Sequence, residues 1–198
     1  MKKMTLLTLI AILISVSLFL TGCVKQIPIG KQETNNSAKT TDETVNWQTY
    51  SNSEYGFKIK YPAGWELQIN QIGPELQKTM RFSAAFSGQT HKITAQFGEI
   101  TALAAIDISA GTMEEYKKVH NAPISGTTKQ VTINNYPAIQ EKRGFGDEIA
   151  YMIDHPEGKY KITLKDHVDM FTDVMSDQEK EEARKTVDKV FSTLEFVE

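Results

Sequence analysis

Residues 149–164 read Ile149-Ala150-Tyr151-Met152-Ile153-Asp154-His155-Pro156-Glu157-Gly158-Lys159-Tyr160-Lys161-Ile162-Thr163-Leu164. Ile149, Tyr151 and Ile153 fall on alternate positions, His155-Pro156-Glu157-Gly158 carries turn residues, and Tyr160, Ile162 and Leu164 alternate on the return. Side chains along a strand point to opposite faces, so a period of two makes one face apolar and the other polar. Two such runs joined by a short turn with Pro and Gly predict an antiparallel hairpin.

The same period recurs outward from that segment. Towards the N-terminus, Phe57, Ile59 and Tyr61 share one strand face and Trp65, Leu67 and Ile69 the next, with Pro62 and Gly64 making the turn between them. Met80, Phe82, Ala84 and Phe86 alternate, Gly88 interrupts, and Ile93, Ala95 and Phe97 continue, which reads as a second hairpin. Lys129 to Ile133, the turn Asn134-Asn135, and a strand from Tyr136 to Phe145 follow, with Pro137 marking a strand start or sheet edge. Two capping boxes punctuate these strands. Thr112-Met113-Glu114-Glu115 opens a short helix to about His120, and Ser176-Asp177-Gln178-Glu179 opens a helix whose Ala183, Val187, Val190 and Phe191, with Leu194, lie on one face. Alternation in most strands favours antiparallel neighbours with one covered face over a parallel, doubly wound sheet. The expected class is therefore α+β: a mostly antiparallel β-sheet flanked by helices.

Composition agrees. The 198 residues are 40% hydrophobic and 24% charged, with 12 glycines and 6 prolines, which suits one compact domain. Net charge is −3, and −5 without Lys2 and Lys3, since 20 basic residues then face 25 acidic ones. A general nucleic-acid binder would be basic, so no nucleic-acid partner is expected. A single cysteine, Cys23, excludes any intrachain disulfide.

Residues 1–22 have the three parts of a secretory signal: Lys2 and Lys3, an uncharged apolar run from Thr5 to Leu20, and the small-residue exit Thr21-Gly22. Leu20-Thr21-Gly22-Cys23 resembles the lipobox of bacterial lipoproteins. The resemblance implies that the Cys23 thiol takes a diacylglyceryl group and that Cys23 becomes the first residue of the mature chain. Two acyl chains hold a protein on a membrane, at about 0.8 kcal/mol for each buried methylene. Residues 23–46 are expected to be a lipid-anchored flexible linker, with a random-coil span on the order of 25 Å. Residues 47–198 form the domain.

Tyr50-Ser51-Asn52-Ser53-Glu54-Tyr55-Gly56-Phe57-Lys58-Ile59-Lys60-Tyr61-Pro62-Ala63-Gly64-Trp65 resembles the opening of PsbP-like domains, with their aromatic entry, Gly-Phe strand and Tyr-Pro-x-x-Trp turn. Val131 to Ala138 is similar to a middle strand, turn and strand of that family, and Val190 to Phe196 to its closing helix end and short strand. The resemblance implies an antiparallel sheet between helices. It carries over no functional residue, because the matching positions are turn and core positions.

The chain has no Gly-x-Ser-x-Gly elbow, phosphate loop, His-Glu-x-x-His or dinucleotide fingerprint, and Gly144-Phe145-Gly146 reads as a turn. No catalytic residue and no cofactor are expected. Asp166-His167-Val168-Asp169 gathers two carboxylates and an imidazole, which makes Asp166, His167 and Asp169 the weak metal candidates of the sequence. His155, in its tight turn, is expected to be exposed, and His91 and His120 to be surface residues. The aromatic group Trp47, Tyr50, Tyr55, Phe57, Tyr61 and Trp65 is expected in the core around a first hairpin.

These readings describe a non-enzymatic protein-binding or assembly module. It would be tethered through Cys23 to the extracytoplasmic face of the cell membrane, with the membrane and a protein as its partners. A small-ligand or metal-binding lipoprotein is the alternative, and a hydrolase whose site assembles only on folding comes third.

Overall fold

The computed structural model describes residues 43–88, 91–95, 98–119, 128–143 and 148–197. All the described residues lie in the second of the chain's two units, Asp42–Glu198. The expected signal segment, the lipobox-like stretch with Cys23, most of the expected linker, Phe97, His120 and Gly144-Phe145-Gly146 lie outside the described residues. Residues 43–46, assigned above to the linker, already belong to the second unit: they form a turn in which Thr44 is buried and its carbonyl accepts the Trp47 N–H.

Twelve described strands make three antiparallel sheets. β1 (Gln48–Asn52), β2 (Phe57–Tyr61) and β12 (Glu195–Phe196) form a small sheet in the order β1-β2-β12. The main sheet has seven strands in the order β3-β4-β7-β11-β10-β9-β8. They are β3 (Trp65–Ile69), β4 (Met80–Gly88), β7 (Ala102–Ala110), β8 (Thr128–Ile133), β9 (Tyr136–Lys142), β10 (Ile149–Asp154) and β11 (Tyr160–Asp166). β5 (Ile93–Ala95) and β6 (Gly98–Ile100) make a two-stranded ribbon. Helix α1 covers Met113–Val119 and α2 covers Asp177–Phe191.

The hairpin read from residues 149–164 is present as β10 and β11, paired from Ile149↔Asp166 to Asp154↔Lys161. β8 and β9 are joined by Asn134 and Asn135, whose φ values of 44° and 68° fit a two-residue hairpin loop that requires left-handed backbone. Both capping boxes form. Thr112 Oγ1 accepts the Glu115 N–H at 3.3 Å while Glu115 Oε2 accepts the Thr112 N–H at 2.8 Å, and Ser176 and Glu179 do the same at 3.3 and 2.8 Å.

Two expectations about pairing are corrected. The Pro62–Trp65 turn forms, with the Trp65 N–H donating to the Pro62 carbonyl, but it does not close a hairpin: β2 pairs with β1 and β12, while β3 pairs with β4. Chain direction reverses there across two layers instead of within one. Ile69 at the end of β3 is exposed. The run after Gly88 does not pair back on β4 either; β5 pairs with β6, and β4 takes β7 as its inner neighbour. β7 itself had no alternating signal, because Leu103 to Ile108 are all buried and both faces of this central strand are covered.

One core joins the layers. Phe57, Ile59 and Tyr61 of the small sheet, Phe82, Ala84 and Phe86 of β4, Ile106 and Ile108 of β7, and Ile162 and Leu164 of β11 are buried together with Val187, Val190 and Phe191 of α2 and Leu194 beyond it. Rings lock the layers across: Tyr61 lies 5.4 Å from Phe86, Phe57 6.1 Å from Phe82, and Tyr151 5.7 Å from Phe191, each between centroids. Burial of each such side chain contributes about 1.5–3 kcal/mol. The first aromatic group is part of this core, as expected: Tyr55, Phe57 and Tyr61 are inside, and Trp47, Tyr50 and Trp65 pack on it. Among the described residues no helix is long and apolar enough to cross a membrane.

Candidate functional site

The small sheet and α2 occupy one face of the main sheet. Alternation sends every second side chain to the other face, and there the pairing registers build rows. Ser83, Asp107 and Thr163 are neighbours across β4, β7 and β11. Ala85, Ala105, Lys165, Ala150 and Glu141 form the next row, running from β4 to β9. The first row brings a carboxylate between two hydroxyls, and the second brings an ammonium between methyl groups.

Over the β4 and β7 end of these rows lies a cleft of about 580 Å³. Ala85 and Ala105 are among its lining residues, together with the amides of Gln68 and Asn70, the Ser83 hydroxyl, Lys165 and His167. Small side chains at the sheet surface are what leave the cleft open.

The charges on this face are largely buried, and Asp107, Glu141, Arg143, Glu148, Lys165 and His167 are paired. Asp107 is 4% exposed and its Oδ2 lies 2.8 Å from Lys165 Nζ. Glu141 is 3% exposed and its Oε2 lies 3.3 Å from Arg143 Nε. Arg143 Nη1 reaches Glu148 Oε1 at 3.2 Å, and Glu148 Oε2 meets His167 Nε2 at 3.0 Å. Removing one partner of such a buried pair would leave the other charge uncompensated, which is strongly destabilising. Burial opposes ionisation of Glu148, but its hydrogen bond to His167 and the charges of Lys165, His167 and Arg143 outweigh it and hold the carboxyl at about 2. Lys161, on the same face of β11, is 6% exposed, and its Nζ stands 3.6 Å from the centre of the Tyr116 ring of α1. Burial, then the neighbouring Arg143, lowers its pKa to about 8.

The metal candidates of the sequence are not brought together. Asp166 and His167 are adjacent, and they take separate partners. Asp166 Oδ1 accepts the Val168 N–H at 2.8 Å, its Oδ2 is buried with no hydrogen-bond partner, and Arg184 Nε of α2 stands 3.9 Å away. His167 belongs to the cleft, between Glu148 and the Ala102 carbonyl at 3.3 Å. Asp169 pairs with Arg184. Among the described residues no group of three or more His, Cys, Asp and Glu side chains could hold a metal.

His155 is 6% exposed, which overturns its expected exposure. The turn folds under the C-terminal strand, so the ring meets Phe196 at 4.7 Å and Tyr160 at 6.2 Å edge-on, while Nδ1 accepts the Glu157 N–H. His91 is partly buried, with Nε2 3.6 Å from Glu179 Oε1. Cys23 lies outside the described residues.

The residues that sequence reading missed are Asp107, Glu141, Arg143, Lys161 and Lys165. Lys161 and Lys165 are the polar half of the alternating β11 pattern, whereas Asp107 lies in the continuously buried run of β7. An alternating pattern marks a solvated face, and only the cover supplied by α1 and the neighbouring strands turns it into a buried ionic surface.

The family model described as PsbP-like protein matches residues 5–140, a span that takes in the apolar run and Cys23 as well as β1 to most of β9. The solution structure of cyanobacterial PsbP (CyanoP) from Synechocystis sp. PCC 6803 is similar at 13% identity, over 89% of this chain and 98% of that one, with a TM-score of 0.42. No curated protein matches.

Proposed function

The chain belongs to the PsbP-like protein family, and on that premise we propose that it is a cell-surface lipoprotein whose α+β domain is a non-enzymatic binding or assembly module. Acylated Cys23 holds it at the extracytoplasmic face of the membrane. The polar side of the main sheet is the surface offered to a protein partner.

One observation carries the binding role: among the described residues, the cleft presents mutually paired charges in place of a nucleophile aligned on a base. His167 has both ring nitrogens within reach of acceptors, Glu148 and the Ala102 carbonyl, and the Ser87 hydroxyl is engaged with that of Thr101 at 3.1 Å. Nucleophilic catalysis needs a hydroxyl or thiol held against a free base, and neither group is arranged so. Amides and hydroxyls around a small-residue floor instead suit recognition of a polar surface.

Support for the anchor comes from the apolar run ending in Leu20-Thr21-Gly22-Cys23 and from the position of the sole cysteine. A dually acylated chain stays on its membrane, so the module works at high local concentration near anything else in that membrane.

The test is cross-linking in native membranes with the full chain and with Ala85→Arg, which fills the cleft floor. A defined membrane or wall protein captured saturably by the wild type and lost in the variant is the expected result. Capture of nothing above background, or equal capture by both, would contradict the reading.

A further inference from the structure

Beside the cleft, and sharing Asp107 and Lys165 with it, lies a smaller pocket of about 360 Å³. Its charged lining is Arg143, Lys161 and Lys165 against the single carboxylate of Asp107, with the Tyr116 and Thr163 hydroxyls also present. Two of the three cations are already answered: Lys165 by Asp107, and Arg143 by Glu141 and Glu148. Lys161 is not. Among the described residues its ammonium has the Tyr116 ring and neither a hydrogen bond nor an ion pair.

An ammonium brings three donors. The face of a ring offsets part of its lost hydration but accepts no conventional hydrogen bond from those donors. Two carboxylates lie near enough to favour the charged amine, Asp154 and Glu141, and both are committed elsewhere: Asp154 Oδ1 accepts the Met113 N–H at 2.6 Å at the start of α1, and Glu141 holds Arg143. Among the described residues no hydrogen-bond acceptor completes the Lys161 site.

We propose that this pocket binds a small oxyanion, a carboxylate or a phosphate, whose oxygens take the free donors of Lys161 beside the Thr163 hydroxyl and the Arg143 guanidinium. Charge-assisted hydrogen bonds to oxyanions are the strong ones, and here they form in a partly desolvated recess. The pocket is within the size range of small-molecule sites. This inference goes beyond the tethered module and stands whether or not Cys23 is acylated.

Protonation follows the same geometry. The titratable and charged groups around the amine are Tyr116 from α1, Asp107 from β7, Glu141 and Arg143 from the β9 end, Asp154 from β10 and Lys165 of its own strand. Burial and Arg143 hold the amine near 8, and a bound anion opposes both. Binding therefore raises the amine's pKa, and affinity falls about tenfold per pH unit above ~8.

The experiment is titration of the full chain, in a neutral detergent, with inorganic phosphate and separately with succinate, read by calorimetry and by the ¹⁵N signal of the lysine amines. The expected result is saturable binding of at least one probe, a rise in the Lys161 amine pKa on saturation, and affinity about tenfold lower or worse in Lys161→Met and largely kept in Lys161→Arg. Which probe saturates tells phosphate from carboxylate. Saturation by neither, or an amine pKa unmoved at saturation in the wild type, overturns the proposal without relying on any variant. Unchanged affinity in a folded Lys161→Met does so as well.

Discussion

The His167 imidazole stands 3.0 Å from the Glu148 carboxylate and ties the end of β11 to the start of β10, while its other nitrogen faces the Ala102 carbonyl of β7. Three adjacent strands are thus joined at one edge of the cleft by side chains in addition to their backbone ladder. The arrangement makes Glu148 a source of pH-dependent stability.

Glu148 has its pKa lowered from 4.5 to about 2, so the fold prefers its charged form. That preference contributes fully above ~4.5 and is lost as pH falls towards ~2, with a magnitude on the order of 3 kcal/mol. Glu148→Gln should lower stability at neutral pH by about 1–3 kcal/mol and flatten the loss below pH ~4.5. Urea unfolding of both proteins between neutral and acid pH checks this. Parallel curves for wild type and variant would contradict it.

Asp166 runs the other way. Burial pushes its carboxyl up from 3.8 to about 6, against the Val168 N–H and Arg184, with Asp188 and Asp169 adding to the rise. The fold prefers the protonated form, so stability is gained as pH falls from ~6 to ~3.8. Asp166→Asn keeps an acceptor for the Val168 N–H and removes the titration. The wild-type urea midpoint should rise between pH ~7 and ~4.5 relative to that of the variant. An Asp166→Asn midpoint that tracks the wild type over this range would show that the buried carboxyl is not the source.

Gly56 sits at φ +59°, and a Cβ there would lie 2.9 Å from the Val197 carbonyl and 3.2 Å from His155 Nε2. Its carbonyl accepts the Val197 N–H at 2.9 Å where β12 closes on β2. Gly56→Ala should therefore destabilise the protein by about 1–2 kcal/mol or more. Gly64, whose Cβ would meet nothing within 4 Å, is the control, and Gly64→Ala should stay within about 0.5 kcal/mol. Equal thermal midpoints for the two variants would remove the argument.

Much of this architecture was legible because it is local. The β10–β11 hairpin, the Asn134-Asn135 loop and both capping boxes are written in residues that touch one another along the chain. β7 was not, because burial of both its faces erases the alternation that identifies a strand. The pairing of β4 with β7 was not either, since a strand's period says nothing about a partner across an intervening ribbon. The candidate site was hidden for a related reason: Lys161 and Lys165 occupy polar strand positions that look solvated until α1 and the sheet cover them, while Asp107 lies in the continuously buried run of β7. The Asp166-His167-Val168-Asp169 cluster misled in the opposite sense. Neighbours in sequence at a strand end diverge, and two of these side chains are drawn to Arg184 of α2 and the third to Glu148.

The tether is tested most directly by the mass of the N-terminal peptide from protein made in its native host. The account predicts a chain beginning at Cys23 with a diacylglyceryl thioether on its sulfur. A product that retains Met1 to Gly22, or that carries an unmodified Cys23 thiol, would contradict it.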